Sequence, residues 1–308
     1  MDHPGFEVLE HLESGVRAAW FGGVDAEYFT GAGIQFHAGG INYESTVTGI
    51  ELQEKGNRVD SVVVSCDVLP PVGAFGTWKL AGPDFTNGVV RAPALDDVAG
   101  CGMLLAMLIE LADRPLETEV WALFTRAEEV GFIGAIGLAK SGRLPLSTPV
   151  ISVEMSRAMS GATQGMGPVI RLGDRSSVFD QTFLLFLRET AGELKSRVEG
   201  FKYQQLLMDG GSCEATALNL FGYKTAGLAV PLSNYHNQRP AGPNGPFVID
   251  SEEIALSDFA NAVDLCVAAC DRFRGIDVVR HAHREELVAR TSDRLSRLER
   301  TERARSRK

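Results

Sequence analysis

Residues 94–113, ALDDVAGCGMLLAMLIELAD, constrain this chain more than any other stretch. After two aspartates the run is apolar on nearly every side, and a helix of that kind has to be buried. It does not span a membrane, because no uninterrupted apolar run in the chain approaches the ~20 residues a crossing needs. It therefore calls for a layered core that covers it all round.

The neighbouring segments supply such layers. ETEVWALFT reads as a strand, GAIGLAKSG as a short helix and TPVISVEMS as a strand. FDQTFLLFLRETAGEL reads as a helix, GYKTAGLAVPL as a strand and DSEEIALSDFANAVDLCVAACDRF as a closing helix. Strands alternating with helices predict an α/β layer with helices on both faces of a largely parallel sheet. Residues 7–85 have a different texture. Short β-like runs (VRAAWF, GIQFHA, STVTGIEL, DSVVVSCDV, FGTWKL) are separated by turn-formers, which suggests a small barrel or sandwich. From about residue 281 the chain is charged. Arg284 to Lys308 holds nine basic and five acidic residues, with Leu287, Leu295 and Leu298 as a thin apolar stripe. This reads as a solvated helix and not as a nucleic-acid arm.

Composition narrows the function. A chain of 308 residues can bury a full core, and a net charge of −10 argues against a general nucleic-acid binder. The start, MDHPGFEVLE, shows no signal-peptide pattern. Cysteines 66, 101, 213, 266 and 270 are odd in number and lack metal-binding spacing, which fits reduced thiols and a cytoplasmic location.

The acidic residues carry the chemistry. Asp96 and Asp97 open the buried helix, Glu128 and Glu129 follow VWALFT, Glu154 ends VISVE, and His236 follows LAVPLSNYH. In an open α/β sheet, ligands bind beyond the carboxyl ends of the strands. Carboxylates and an imidazole converging there repel unless divalent cations compensate, and this donor set suits zinc, cobalt or manganese. A carboxylate can bridge two such ions ~3.5–4 Å apart. Adjacent side chains on extended backbone face opposite ways, so Glu129 is assigned as a ligand and Glu128 as the general base. Each feature alone has a simpler reading: a helix cap for Asp96-Asp97, a solvated turn for Glu128-Glu129, a structural histidine for His236. Their order and glycine-rich contexts favour a site.

ALDDVAGCGMLL, TRAEEVGFIGA, VISVEMS, DGGSCEATALNLFGYKTAGLAVPLSNYHN and GGVDAEYFTGAGIQFH together resemble the tetrahedral aminopeptidase and glutamyl aminopeptidase family of co-catalytic two-metal exopeptidases. The resemblance implies an α/β fold, with a mostly parallel central sheet flanked by helices in the catalytic domain and an inserted small β-barrel used in oligomerisation. Residues 1–6 and 86–280 would form the catalytic domain, 7–85 the barrel and 281–308 the tail. It also implies two divalent metal ions per subunit, peptide substrates and homo-oligomers, with no nucleic-acid or membrane partner. By motif, Asp96 resembles the bridging ligand, followed by a cis peptide bond. Glu128 resembles the general base, Glu129 and His236 the ligands of the second metal, and Glu154 the ligand of the first, where the family usually has aspartate. Asp209 to Ala215 matches a glycine-rich segment near the substrate pocket, with Cys213 where an aspartate is common.

The family's opening motif, His-x-Asp-Glu-x-Gly-Phe, aligns with MDHPGF from its second position. Its metal-binding histidine would then lie immediately before Met1, with Asp2 orienting it, and the family's N-terminal segment is absent from this sequence. The expected function is metal-dependent release of N-terminal residues from peptides. A metal-dependent amidase or deacylase, or a truncated non-catalytic assembly protein, is the alternative.

Overall fold

Period-two alternation of buried and exposed side chains closes the first strands into a barrel. The structure, a computed structural model, describes residues 4–54, 56–208, 210–240 and 245–305. β1 (Gly5–Leu12), β2 (Gly15–Phe21), β3 (Gly33–Ala38), β4 (Ile41–Leu52), β5 (Val59–Cys66) and β6 (Phe75–Trp78) close in the order β1-β2-β5-β4-β3-β6. Every pairing in the barrel is antiparallel. Its interior is aromatic. Phe29 lies 5.3 Å from Trp20 and 5.2 Å from Trp78, centroid to centroid, and Phe6 packs 4.6 Å from Trp20 and 4.8 Å from Trp78. The barrel includes Gly5 and Phe6.

The rest of the chain forms a layered unit. Its elements are β7 (Asp84–Thr86), β8 (Val89–Ala92), α1 (Leu95–Leu111), α2 (Ile133–Ser141), β9 (Val150–Arg157), β10 (Val169–Gly173), α3 (Gln181–Arg197) and β11 (Gln204–Leu207). They continue with α4 (Glu214–Leu220), β12 (Thr225–Ser233), the short pair β13 (Gln238–Arg239) and β14 (Val248–Ile249), β15 (Glu252–Ala255), α5 (Leu256–Arg272) and α6 (Ile276–Arg305). The main sheet runs β11-β10-β12-β15-β8-β7, with β9 also on β12. α1, α3 and α5 bury Met103, Met107, Leu187 and Leu265 in the main core, while α2 and α4 form a smaller cluster with Leu144 and Tyr223.

This sheet is mixed, which corrects the mostly parallel sheet expected from sequence. Only β9–β12 and β10–β11 are parallel. β10–β12, β12–β15, β15–β8 and β7–β8 are antiparallel. Part of the reason is local. Asn87 and Gly88 both take positive φ, which makes a tight hairpin between β7 and β8, and a hairpin return is antiparallel. β15 was hidden at the start of what reads as one helix, because the acidic DSEE resembles a helix N-terminus.

Two further expectations change. Residues 118–125 do not join a ladder although their composition suits a strand. Helix α1 is not covered all round: Val98, Leu105 and Ile109 are exposed, as are Trp121 and Phe124 on the neighbouring segment. These side chains make an apolar surface of the kind that marks a contact face. α6 meets α3 through His283 and Glu189 (2.9 Å), and Leu287, Leu295 and Leu298 are exposed along it. Among the described residues, no helix is long and apolar enough to cross a membrane.

The barrel's aromatic core gives a direct test. Phe29 is fully buried, so Phe29→Ala should destabilise the protein by about 3–5 kcal/mol, read as a lowered midpoint in denaturant unfolding.

Candidate metal centre

Three side chains from distant parts of the sequence converge. One ligand atom each from Asp96, Glu129 and His236 lies within 4.8 Å of the others. Each is placed by unusual backbone. Asp96 sits at the mouth of α1 with φ −86° and ψ 104°, outside helical geometry, and its peptide bond to Asp97 is cis. Glu129 lies within a turn in which Ala127 has φ 58° and the Glu128 carbonyl accepts the N–H groups of Gly131 (3.0 Å) and Phe132 (2.9 Å). His236 lies among three left-handed residues, with Asn234 at φ 53°, His236 at 55° and Asn237 at 62°.

The imidazole is fixed from several sides. Tyr235 stacks on it at 3.9 Å, and its Nε2 stands 3.8 Å from Glu129 Oε2. Gly23, on the segment that leaves β2 of the barrel, lies against the ring. A Cβ at position 23 would approach His236 Nδ1 to 2.9 Å, so only glycine fits without displacing the ring. Asn237 donates to the carbonyls of Pro93 (2.9 Å) and Asp250 (3.1 Å), which ties this turn to the approach of α1.

Glu252, on β15, is a functional candidate that sequence reasoning missed. It is fully buried, and its Oε2 accepts the Asp96 N–H at 3.0 Å. It thereby braces the backbone at Asp96. Glu214 was also missed. It accepts a hydrogen bond of 2.5 Å from Thr125 Oγ1 and lines a cleft of about 560 Å³ together with Asp97, Glu128 and Glu154. Only the clustering of acidic residues before apolar runs could have drawn attention to either.

Burial and mutual repulsion raise the proton affinity of this group. Desolvation, then the nearby Glu129, Asp97 and Glu252, push Asp96 well above the usual carboxylate range. Desolvation, then Glu129 and Glu214, carry Glu128 up to about 8, with Arg171 opposing. Desolvation carries Glu129 to about 7 and is the largest influence taking Glu252 to about 8. Divalent cations relieve that repulsion. Two carboxylates and an imidazole fit the oxygen and nitrogen donors that zinc, cobalt and manganese accept.

The other sequence candidates are placed differently. Glu128 neighbours the cluster and faces the cleft. Glu154 is not drawn into the three-residue group: it forms an ion pair with Arg171 Nη1 and accepts Ser156 Oγ at 2.7 Å. Asp2 and Asp209 lie outside the described residues.

Comparison with known proteins agrees with this architecture. The family model for M42 glutamyl aminopeptidases matches residues 71–240. The fold is similar to a TET aminopeptidase from a marine-sediment Thaumarchaeota archaeon, at 18% identity and TM-score 0.74, covering 91% of this chain and 81% of that one. It is also similar to an aminopeptidase from Desulfurococcus kamchatkensis, at 18% identity and TM-score 0.71, covering 91% and 79%. A third likeness is to the Pyrococcus horikoshii TET1 peptidase, which assembles into a tetrahedron or a large octahedral shell. There the identity is 22% and the TM-score 0.70, covering 89% and 82%.

The raised carboxyls predict how stability follows pH. Glu128, Glu129 and Glu252 ordinarily titrate near 4.5 and do so near 7 to 8 in the folded chain. The native state therefore holds these protons more tightly than the unfolded one, and stability falls as pH rises between those limits. Chelator-treated protein should show a melting temperature that declines across that window in calorimetry. Added zinc or cobalt should remove most of the decline at its upper end.

Proposed function

We propose that this chain, which belongs to the M42 glutamyl aminopeptidase family and is an aminopeptidase, a hydrolase, removes N-terminal residues from peptides by metal-dependent hydrolysis. The observation that carries the metal dependence is the convergence of Asp96, Glu129 and His236 beside Glu128. Asp96, Glu129 and His236 would hold one divalent ion, and Asp96 with Glu154 a second, zinc, cobalt or manganese suiting both. Such ions lower the pKa of a water toward ~7 and polarise a carbonyl. Glu128 takes a proton from the attacking water onto its carboxylate and delivers it to the departing amine. Its burial raises its proton affinity above that of a free carboxylate, the direction required of a group that must return the proton it takes. Glu252 holds the Asp96 backbone, and Tyr235 and Gly23 set the His236 ring. The free amino group of a peptide is a cation, which the carboxylates of Asp97, Glu128, Glu154 and Glu214 in the otherwise largely apolar lining of the cleft favour.

The remaining organisation follows the same reading. The barrel, which takes in Gly5 and Phe6, is an assembly domain, the layered unit from β7 to about residue 280 is the catalytic domain, and 281–308 is a tail. Exposed Ile41, Val68, Val72 and Phe75 on the barrel supply apolar surface for contact with other copies, and the chain is a homo-oligomer. All five cysteines are free, which suits a cytoplasmic enzyme. Its partners are peptides and other copies of itself.

Glu128→Gln should lower kcat on an aminoacyl anilide by at least ~10²-fold while metal content stays near that of the parent. A near-normal rate would remove Glu128 from the role of base. His236→Ala should instead lower metal content, measured by elemental analysis after dialysis.

A further inference from the structure

Arg171 is a buried cation paired with Glu154, one of the carboxylates that line the cleft. Its side chain is 3% exposed, and Nη1 forms an ion pair with Glu154 while Nη2 lies 4.0 Å from Asp174 Oδ2. The fold makes room for it. Gly227 on β12 faces Arg171 across the β10–β12 pairing, and a Cβ there would come within 2.9 Å of the Arg171 Cβ and of the Phe179 ring. Asp174 is well supplied with other donors. Its Oδ1 accepts the N–H groups of Ser176 (2.9 Å) and Ser177 (3.0 Å), and its Oδ2 accepts the Thr216 hydroxyl. Glu154 has the Ser156 hydroxyl besides Arg171. Of the two acids, Glu154 is the one whose charge Arg171 chiefly balances.

The cluster of Asp96, Glu129 and His236 makes no use of Glu154, and a cation placed near Glu154 would meet the charge of Arg171. We infer that Arg171 is a positioning residue that competes for Glu154, so that the chain binds one divalent ion tightly at Asp96, Glu129 and His236 and a second only when Glu154 leaves the guanidinium. This rests on the metal-dependent reading above and adds an order of filling to it. The second ion then responds to metal concentration in a range where the first is already saturated.

Equilibrium dialysis of the full chain against cobalt(II), with elemental analysis, tests the inference. The parent should take up one ion per chain first and a second at a concentration at least about tenfold higher. Arg171→Met should bring the second uptake down by about tenfold and leave the first in place. Arg171→Lys, which keeps the charge, should behave like the parent, an outcome that a purely structural role for the arginine would not require. Glu154→Gln should weaken the second uptake and spare the first, and this reading stands even where Arg171→Met fails to fold. Two ions of equal affinity in the parent, an unchanged second affinity in folded Arg171→Met, or an unchanged second affinity in Glu154→Gln overturns the inference and leaves the metal-dependent aminopeptidase standing. A parent chain that binds no cobalt overturns both.

Discussion

Asp96, Glu128, Glu129 and Glu252 are held where a proton is hard to lose: burial is the largest cause for each, and neighbouring acids add to it at Asp96, Glu128 and Glu252. Left in water, the four would separate. The fold prevents this by drawing them from three places, the mouth of α1, the turn before α2 and β15, and by hydrogen bonds at the Glu128 carbonyl and the Asp96 N–H. The left-handed turn at Asn234–Asn237 then sets His236 against them. Local strain of this kind persists only where surrounding structure over-determines it, and here it is concentrated on the residues of the cluster. The energetic tension of the site is thus a tension between acids, to which divalent cations are the matched response.

Much of the site was legible because its residues lie at transitions. Asp96 stands where a polar pair meets an apolar helix, and Glu129 and His236 where apolar runs give way to turns. Such positions are visible in one dimension. Glu252 was not, since acids ahead of an apolar stretch describe a helix start as well as they describe a short strand, and only its pairing with β8 and β12 separates the two. Arg171 was hidden for another reason. It sits in a strand like any other residue, and its significance depends on Glu154 and Asp174 lying beside it in space.

The fold shows the same division. The barrel strands alternate and were readable one by one, apart from β1, whose run was not read as a strand and whose first two residues precede the region that looked β-rich. The layered unit was recognisable as α/β, but the direction of its strands was not, because orientation is decided by how connections cross the sheet. Residues 118–125 mark the limit of propensity: Val120, Trp121 and Phe124 are strand-forming side chains in a segment without a ladder partner among the described residues.

Gly23 lies in the barrel half and touches the histidine of the other half. The two halves are therefore not freely interchangeable parts. A barrel transplanted from another protein would disturb the imidazole unless it brought, at that one point of the seam, a residue with no side chain. The junction acts as a lock with a single small keyhole, and it limits which barrels recombination could have joined to this centre.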